Sequence, residues 1–185
     1  MDHGAQSYRR FLAGDETGLV EIVRMYADGL VFFVLPILGD AAAAEDIAEE
    51  TFARLCLKKP AYKDTASFKT WLYTVARNLA LDERRKRAHT PVSLEEAAMA
   101  LPDPADTPEE ACIRAEQRRA VQRALAALKP EYAQVLTLTY VEGLSNRQTA
   151  KIMHKSVHAV ENLNSRARRA LREALEQEGP LNEIV

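Results

Sequence analysis

The sequence has no long apolar run. Its longest, Leu30 to Leu38, covers nine residues, whereas a membrane-spanning helix needs about 20. Near the N-terminus stand Asp2, Asp15 and Glu16, without the basic, apolar and cleavage-site order of a secretory leader. These two absences predict a cytoplasmic protein with no membrane insertion. Cysteine is scarce as well: Cys56 and Cys112 lie far apart and neither belongs to a CxxC pair. Each is expected to be a small buried or half-buried thiol rather than a metal ligand or redox centre. His154 and His158 are four apart, a metal spacing only if one helix carries both. His154 is expected in a turn, so no metal and no other cofactor is predicted. The few glycines and prolines sit at the edges of periodic segments, and strand-type alternation is absent. The chain therefore reads as all-α.

What is present is segregated charge. Residues 1–53 hold three basic and ten acidic side chains, and residues 54–87 hold ten and three. Residues 88–112 carry six acids and no Lys or Arg, and residues 113–175 hold twelve basic and five acidic side chains. The net charge of −2 hides two basic blocks separated by an acidic strip. Two such blocks suit two polyanion contacts, although two solvated helical faces would give the same counts.

Apolar periodicity predicts a first long helix from about Glu16, with Leu19, Ile22, Val23, Tyr26, Leu30, Phe33, Val34 and Ile37 on one face and Asp15 as its cap. Pro36 should kink or end it, and Gly39 closes the segment. Asp40 caps a second helix, Ala41–Lys59, stopped by Pro60; Asp46, Glu49 and Glu50 share its polar face. After a loop from Ala61 to Ala66, Ser67 caps a third helix. Phe68, Leu72, Val75 and Leu79 line one side of it, Lys69, Tyr73 and Arg77 another, and it runs out into Arg84-Arg85-Lys86-Arg87. Four of the eight prolines fall in the acidic stretch 88–112, which reads as a flexible linker. Expected boundaries are residues 1–88, linker 89–111, a second helical domain 112–178 and a tail 179–185. In that domain Ile113–Leu128 reads as a helix, and Pro130 opens another that reaches Tyr140 or Val141 before Gly143.

Ser145-Asn146-Arg147-Gln148 is a capping box opening a short helix to Met153. After His154-Lys155-Ser156, Ser156 caps a longer helix with Val160, Leu163, Ala167, Leu171 and Leu175 on its inner side and Arg166, Arg168, Arg169 and Arg172 as its cations. This is a helix-turn-helix pattern. A helix fits the major groove, where its first residues reach base edges, and cations beside it neutralise phosphates. Plain structural hairpins share the pattern. In the front half, Trp71, Tyr73, Lys69, Arg77, Asn78 and the basic run combine rings with cations, as single-stranded DNA requires. Trp71 itself flanks the apolar face, and core packing is its preferred reading.

The string Ala44-Glu45-Asp46-Ile47 with Phe52, followed by Ser67-Phe68-Lys69-Thr70-Trp71-Leu72-Tyr73-Thr74-Val75-Ala76-Arg77-Asn78, resembles region 2 of the extracytoplasmic-function (ECF) RNA polymerase sigma factors. Leu128 to Leu175 is similar to their region 4, with Arg166-Ala167-Arg168-Arg169-Ala170-Leu171 a close match. The resemblance implies two small helical domains and no enzymatic activity. Asp46, Glu49, Glu50 and Phe52 would dock on the clamp helices of the polymerase beta-prime subunit, and the beta flap is a further implied contact. Lys63, Asp64, Ser67, Lys69, Tyr73, Arg77 and Asn78 would take the minus-ten strand, the loop Asp64–Ser67 with Asn78 holding a flipped base. Arg84, Arg85, Lys86 and Arg87 would grip nearby phosphates. Ser145, Arg147, Lys155, Ser156, His158, Ala159, Glu161, Asn162, Arg166 and Arg168 would meet the minus-thirty-five duplex. The linker would thread toward the RNA channel, and an anti-sigma factor is a further implied partner.

The match has departures. Glu49 stands where the family usually has Gln, His154 where a turn Gly is common, and Lys155 where an apolar residue is usual. Glu161, Asn162 and Leu163 fill a stretch often basic or hydroxylated, so the duplex sequence read cannot be inherited. Short tails predict no large fused sensor domain. Two other readings remain at this point: a stand-alone helix-turn-helix regulator, and a sigma-like decoy for an anti-sigma factor. Neither accounts for the acidic helix, the aromatic-cationic helix and Arg84–Arg87 together.

Overall fold

The computed structural model describes residues 2–88, 123–125 and 127–177. The acidic linker 89–111, Cys112, most of the helix expected over Ile113–Leu128 and the tail 179–185 lie outside the described residues. Among the described residues there are helices and turns and no strand, as the periodicity predicts.

The front half holds four helices: α1 (His3–Leu12), α2 (Thr17–Leu38), α3 (Ala41–Lys58) and α4 (Phe68–Arg87). The periodicity does not predict α1, because Ala5, Tyr8 and Phe11 recur at three over only two turns. Its stability comes from tertiary contacts. Asp2 Oδ1 accepts from the Ala5 N–H at 3.1 Å, while Oδ2 of the same carboxylate accepts from the Phe68 N–H at 2.7 Å. One acid therefore caps two helices. The Tyr8 hydroxyl donates to the Pro60 carbonyl at 2.7 Å. Gly18 lets α1 and α2 meet backbone to backbone: a Cβ there would stand 2.2 Å from the Ser7 carbonyl oxygen.

Glu16, not the expected Asp15, stands at the N-cap of α2 and makes no side-chain cap bond; Asp15 Oδ1, one residue earlier, accepts from the Thr17 N–H at 3.0 Å. The helix passes Pro36 and ends at Leu38, with Gly39 left-handed at φ 70° and its N–H bonded to Leu35. Pro36 therefore does not end it. Asp40 and Ser67 cap α3 and α4 through the N–H groups of Ala43 and Thr70. The expectation for Cys56 needs correction. Its thiol is free and exposed, because the apolar face of α3 rotates past it to Leu55.

The back half holds α5 (Pro130–Leu136), a wide π turn over Thr137–Val141, α6 (Asn146–Met153) and α7 (Val157–Gln177). The capping box at Ser145 and Gln148 is formed, and His154 takes the left-handed turn at φ 53°. Ser156 Oγ accepts from the Ala159 N–H at 3.1 Å, capping α7.

One continuous core joins Tyr8, Ile22, Leu30, Phe33, Leu55, Phe68 and Leu72 of the front half to Leu138, Ile152, Met153, Val160 and Ala167 of the back half; all are fully or almost fully buried. Each large apolar side chain removed from water contributes about 1.5–3 kcal/mol. Trp71 packs half-buried against Tyr8, Tyr62 and Phe68, with ring centroids 5.4 to 5.7 Å apart, in line with its core reading. No described helix is long and apolar enough to cross a membrane.

Candidate nucleic-acid and polymerase interfaces

Asp46, Glu49 and Glu50 stand exposed on α3, and Phe52 is half-buried against the core beside them. Glu50 accepts from Arg54 Nε at 2.7 Å, and this pairing lowers the Glu50 pKa. Leu57, on the last turn of the same helix, is 82% exposed. A bare leucine beside a row of acids is a surface suited to a partner with apolar and cationic side chains.

The second surface surrounds α4. Asp64 has φ 54° and is held by both oxygens to Arg9 Nη2, at 2.8 and 2.7 Å, so α1 fixes the shape of the loop before α4. Lys63 and Asn78 are exposed. At the C-terminal end of α4, Arg85 pairs with Asp82 at 3.0 Å and Lys86 with Glu83 at 3.6 Å. Arg84 is exposed. Arg87 reaches Asp40 at 2.7 Å, and this bond, with the N–H of Ala43, holds the Asp40 carboxyl below the ordinary carboxylate range. Cations at a helix C-terminus also face the negative end of the helix dipole, which helps keep the run helical.

Ser67, Lys69, Tyr73 and Arg77 lie in a different setting, on the face of α4 that meets the back half. Lys69 Nζ pairs with a Glu142 carboxylate oxygen at 2.6 Å and donates to the Glu142 carbonyl at 2.8 Å. The Tyr73 hydroxyl is buried beside the same carboxylate; burial first, and that charge second, push its pKa far up. Arg77 Nε donates to Gln134 Oε1 at 3.4 Å, and burial lowers the guanidinium pKa. Gln148 Nε2 donates to Ser67 Oγ at 3.2 Å, and Lys151 Nζ to the Thr65 carbonyl at 3.2 Å.

The third surface is the start of α7. Ser156, His158, Glu161 and Asn162 are exposed, with Ala159 half-buried between them. His158 and Asn162 are joined by a 3.1 Å hydrogen bond. Ser145, Arg147, Arg166 and Arg168 are exposed around this end and along the helix. Lys155 turns back to Glu131 at 3.1 Å, which explains how a cation occupies a slot usually apolar.

Three residues matter here that periodicity alone does not reveal. Asn164 is buried; its Nδ2 donates to Asn146 Oδ1 at 3.0 Å, and the Thr139 hydroxyl donates to its Oδ1 at 3.2 Å. It ties α7 to α6 and to the π turn. Its signal was a polar residue beside the Val160, Leu163 and Ala167 stripe. Arg9 and Glu142 act through long-range pairs that no local pattern encodes. Among the described residues, no three His, Cys, Asp or Glu side chains cluster as a metal would require.

Comparison with known proteins matches residues 22–90 to the family "Sigma-70 region 2" and residues 118–171 to "Sigma-70, region 4". The chain is 35% identical over 168 residues to a probable RNA polymerase sigma factor, RfaY, of Xanthomonas campestris; it spans 42% of that protein, and the match covers 89% of this chain. It is 31% identical over 170 residues to the ECF RNA polymerase sigma factor SigW of Bacillus subtilis, covering 88% of this chain and 91% of SigW. Among solved structures, the sigma factor RpoE of Bartonella quintana, determined with the anti-sigma factor NepR, shares the fold at a TM-score of 0.66 and 21% identity, over 84% of this chain and 95% of that one.

Proposed function

This chain belongs to the ECF sigma factors of the sigma-70 family, and we propose that it directs core RNA polymerase to specific promoters and helps open them there. The front half, residues 1–88, docks through Asp46, Glu49, Glu50 and Phe52 and receives the minus-ten strand on α4. The back half, residues 112–178, reads minus-thirty-five duplex with the start of α7. The observation that carries this reading is the pairing on one chain of two different nucleic-acid faces. One gathers Lys69, Arg77, Asn78 and Arg84–Arg87 on α4, without the expected Tyr73 ring, which is buried in the core; the other offers His158, Glu161 and Asn162 at the tip of a helix narrow enough for the major groove.

The energetics require both. Unstacking a base costs a few kcal/mol, and capture on rings and polar groups returns about 1–3 kcal/mol per base. A duplex reader alone would hold the promoter closed. Bond chemistry belongs to the polymerase, and an anti-sigma factor is the expected antagonist.

In vitro transcription with purified core enzyme on genomic fragments, read by start-site sequencing, tests the proposal. Discrete start sites that need this chain are the expected result. Core enzyme that initiates identically with and without it contradicts the function. Tight dimeric binding to duplex DNA without core would instead point to a stand-alone regulator.

A further inference from the structure

The match to region 2 begins at residue 22, so α1 lies ahead of the matched segment. Yet α1 ties down the loop before α4 at three points. At the start of the loop, the Tyr8 hydroxyl donates to the Pro60 carbonyl at 2.7 Å. At its end, Asp2 Oδ2 accepts from the Phe68 N–H at 2.7 Å. In its middle, Arg9 Nη2 donates to both carboxylate oxygens of Asp64, at 2.8 and 2.7 Å. Asp64 stands at φ 54°, the one left-handed residue between Ala61 and Ala66. A side chain crowds the backbone there, and such a residue persists only where its surroundings hold it. The Tyr62 hydroxyl donates to the Ala66 carbonyl, which closes the loop and leaves Lys63, Asp64 and Thr65 as its exposed crest.

The three ties differ in kind. Tyr8 is fully buried, its ring 5.3 Å from that of Phe68, so the first belongs to the core. The side chains of Arg9 and Asp64 keep 58% and 55% of their exposure. An ion pair in that setting is screened by water and adds little to overall stability. Its effect is local: it orders one side chain and, through it, one turn of backbone. One guanidinium nitrogen makes both bonds, so the contact asks for a cation at that place rather than a planar fork, and lysine can supply one.

We propose that Arg9 is a positioning residue for promoter reading: through Asp64 it holds the crest of the loop in the shape that discriminates the captured minus-ten base, so part of the base preference is set from α1. This rests on the assignment of the loop Asp64–Ser67 to the minus-ten strand. Arg9 itself need not touch DNA. A loop held in shape before the base arrives discriminates better than a mobile one, because a mobile loop can mould itself to a wrong base.

The test counts heparin-resistant complexes formed by core polymerase and the full chain at a promoter mapped by start-site sequencing, with each of the four bases placed in turn at every minus-ten position. Wild type is compared with Arg9→Ala, Arg9→Lys, Asp64→Ala and the double variant Arg9→Ala with Asp64→Ala. Circular dichroism and core affinity confirm that each variant is folded and docks. If Arg9→Ala unfolds, Arg9→Gln, which keeps the length and loses the charge, takes its place. In Arg9→Ala the ratio of best to worst base is expected to fall about tenfold at one position, the size of one lost base readout, while the other positions keep their ratios. Arg9→Lys should retain most of that ratio. The double variant should lose no more than either single one, because both residues act on one loop. Unchanged ratios in Arg9→Ala overturn the positioning role and leave the proposed function standing. Losses that add in the double variant, or a uniform loss across bases with a shallower salt dependence, overturn it as well, since Arg9 would then touch phosphate itself. A wild-type chain indifferent to every minus-ten base overturns the strand-reading assignment, and the positioning role with it.

Discussion

His154 stands at φ 53°, where a side chain crowds the backbone, in a turn whose more common occupant is glycine. Histidine tolerates this region; a β-branched residue does not. His154→Val is expected to cost about 1–2 kcal/mol, read as a lower urea midpoint. Glycine there should be neutral to slightly stabilising. Asn78 carries a different kind of expectation. It is exposed on α4, outside the Lys69–Glu142 contact, and its amide can read a base edge. Asn78→Ala should reduce heparin-resistant promoter complexes by about tenfold, the lower part of the range for losing one captured base, with core affinity unchanged. Equal complex formation would remove Asn78 from the strand-binding surface. Both positions were legible in the sequence. Arg9 and Glu142 were not, because their partners lie 55 and 73 residues away.

Helix identity followed from capping chemistry wherever the cap was local. Asp40, Ser67, Ser145 and Ser156 each receive an N–H three residues on, and each begins the helix expected of it. The front of the chain shows the limit of that approach: Asp2 also receives the N–H three residues on, but α1 is short and its apolar face, Ala5, Tyr8 and Phe11, is too brief to show a period. Pro36 lies inside α2 without ending it, and the expected terminator, Gly39, supplies the left-handed residue at its end. The π turn was equally hidden, being one continuous periodic segment with α5. At the scale of α7, Arg166 and Arg168 are exposed cations on the helix proposed to read duplex. Replacing both by alanine should weaken binding to all duplex sequences and reduce the salt slope by about two. An unchanged slope would show that they do not touch phosphate.

For the whole molecule, titration gives two opposite windows. Asp15, Glu21 and Asp40 are held below the ordinary carboxylate range, Asp15 first by Thr17, Glu21 by Ser7 and Asp40 by Arg87. Their folded pKa values are depressed, so their contribution is present above the unfolded values and fades as pH falls through the folded ones. Burial pushes Tyr8 and Tyr26 up to about 12 from 10.0. Their contribution is full below the unfolded value and is lost as pH rises toward the folded one. Tyrosinate absorbance should therefore lag in the native chain and appear together with loss of helix. A smooth titration of all six tyrosines at the ordinary value, with helix intact, would contradict the buried placement. The all-α class could be read from periodicity, and the order of the two sigma regions from their motifs. How the two halves meet could not, because Glu142 reaches Lys69 and the Tyr73 hydroxyl from far along the chain, beside Gly29, where there is no side chain to crowd it.

The central claim is that one chain holds unwound strand with its front half while its back half reads duplex, on core polymerase. Permanganate reactivity of promoter thymines tests it most directly, at a start site mapped with this factor. Thymines upstream of the start should become reactive only when core and chain are both present, and much less so with Asn78→Ala. Thymines that stay protected with both proteins bound, or open equally with core alone, would contradict the account.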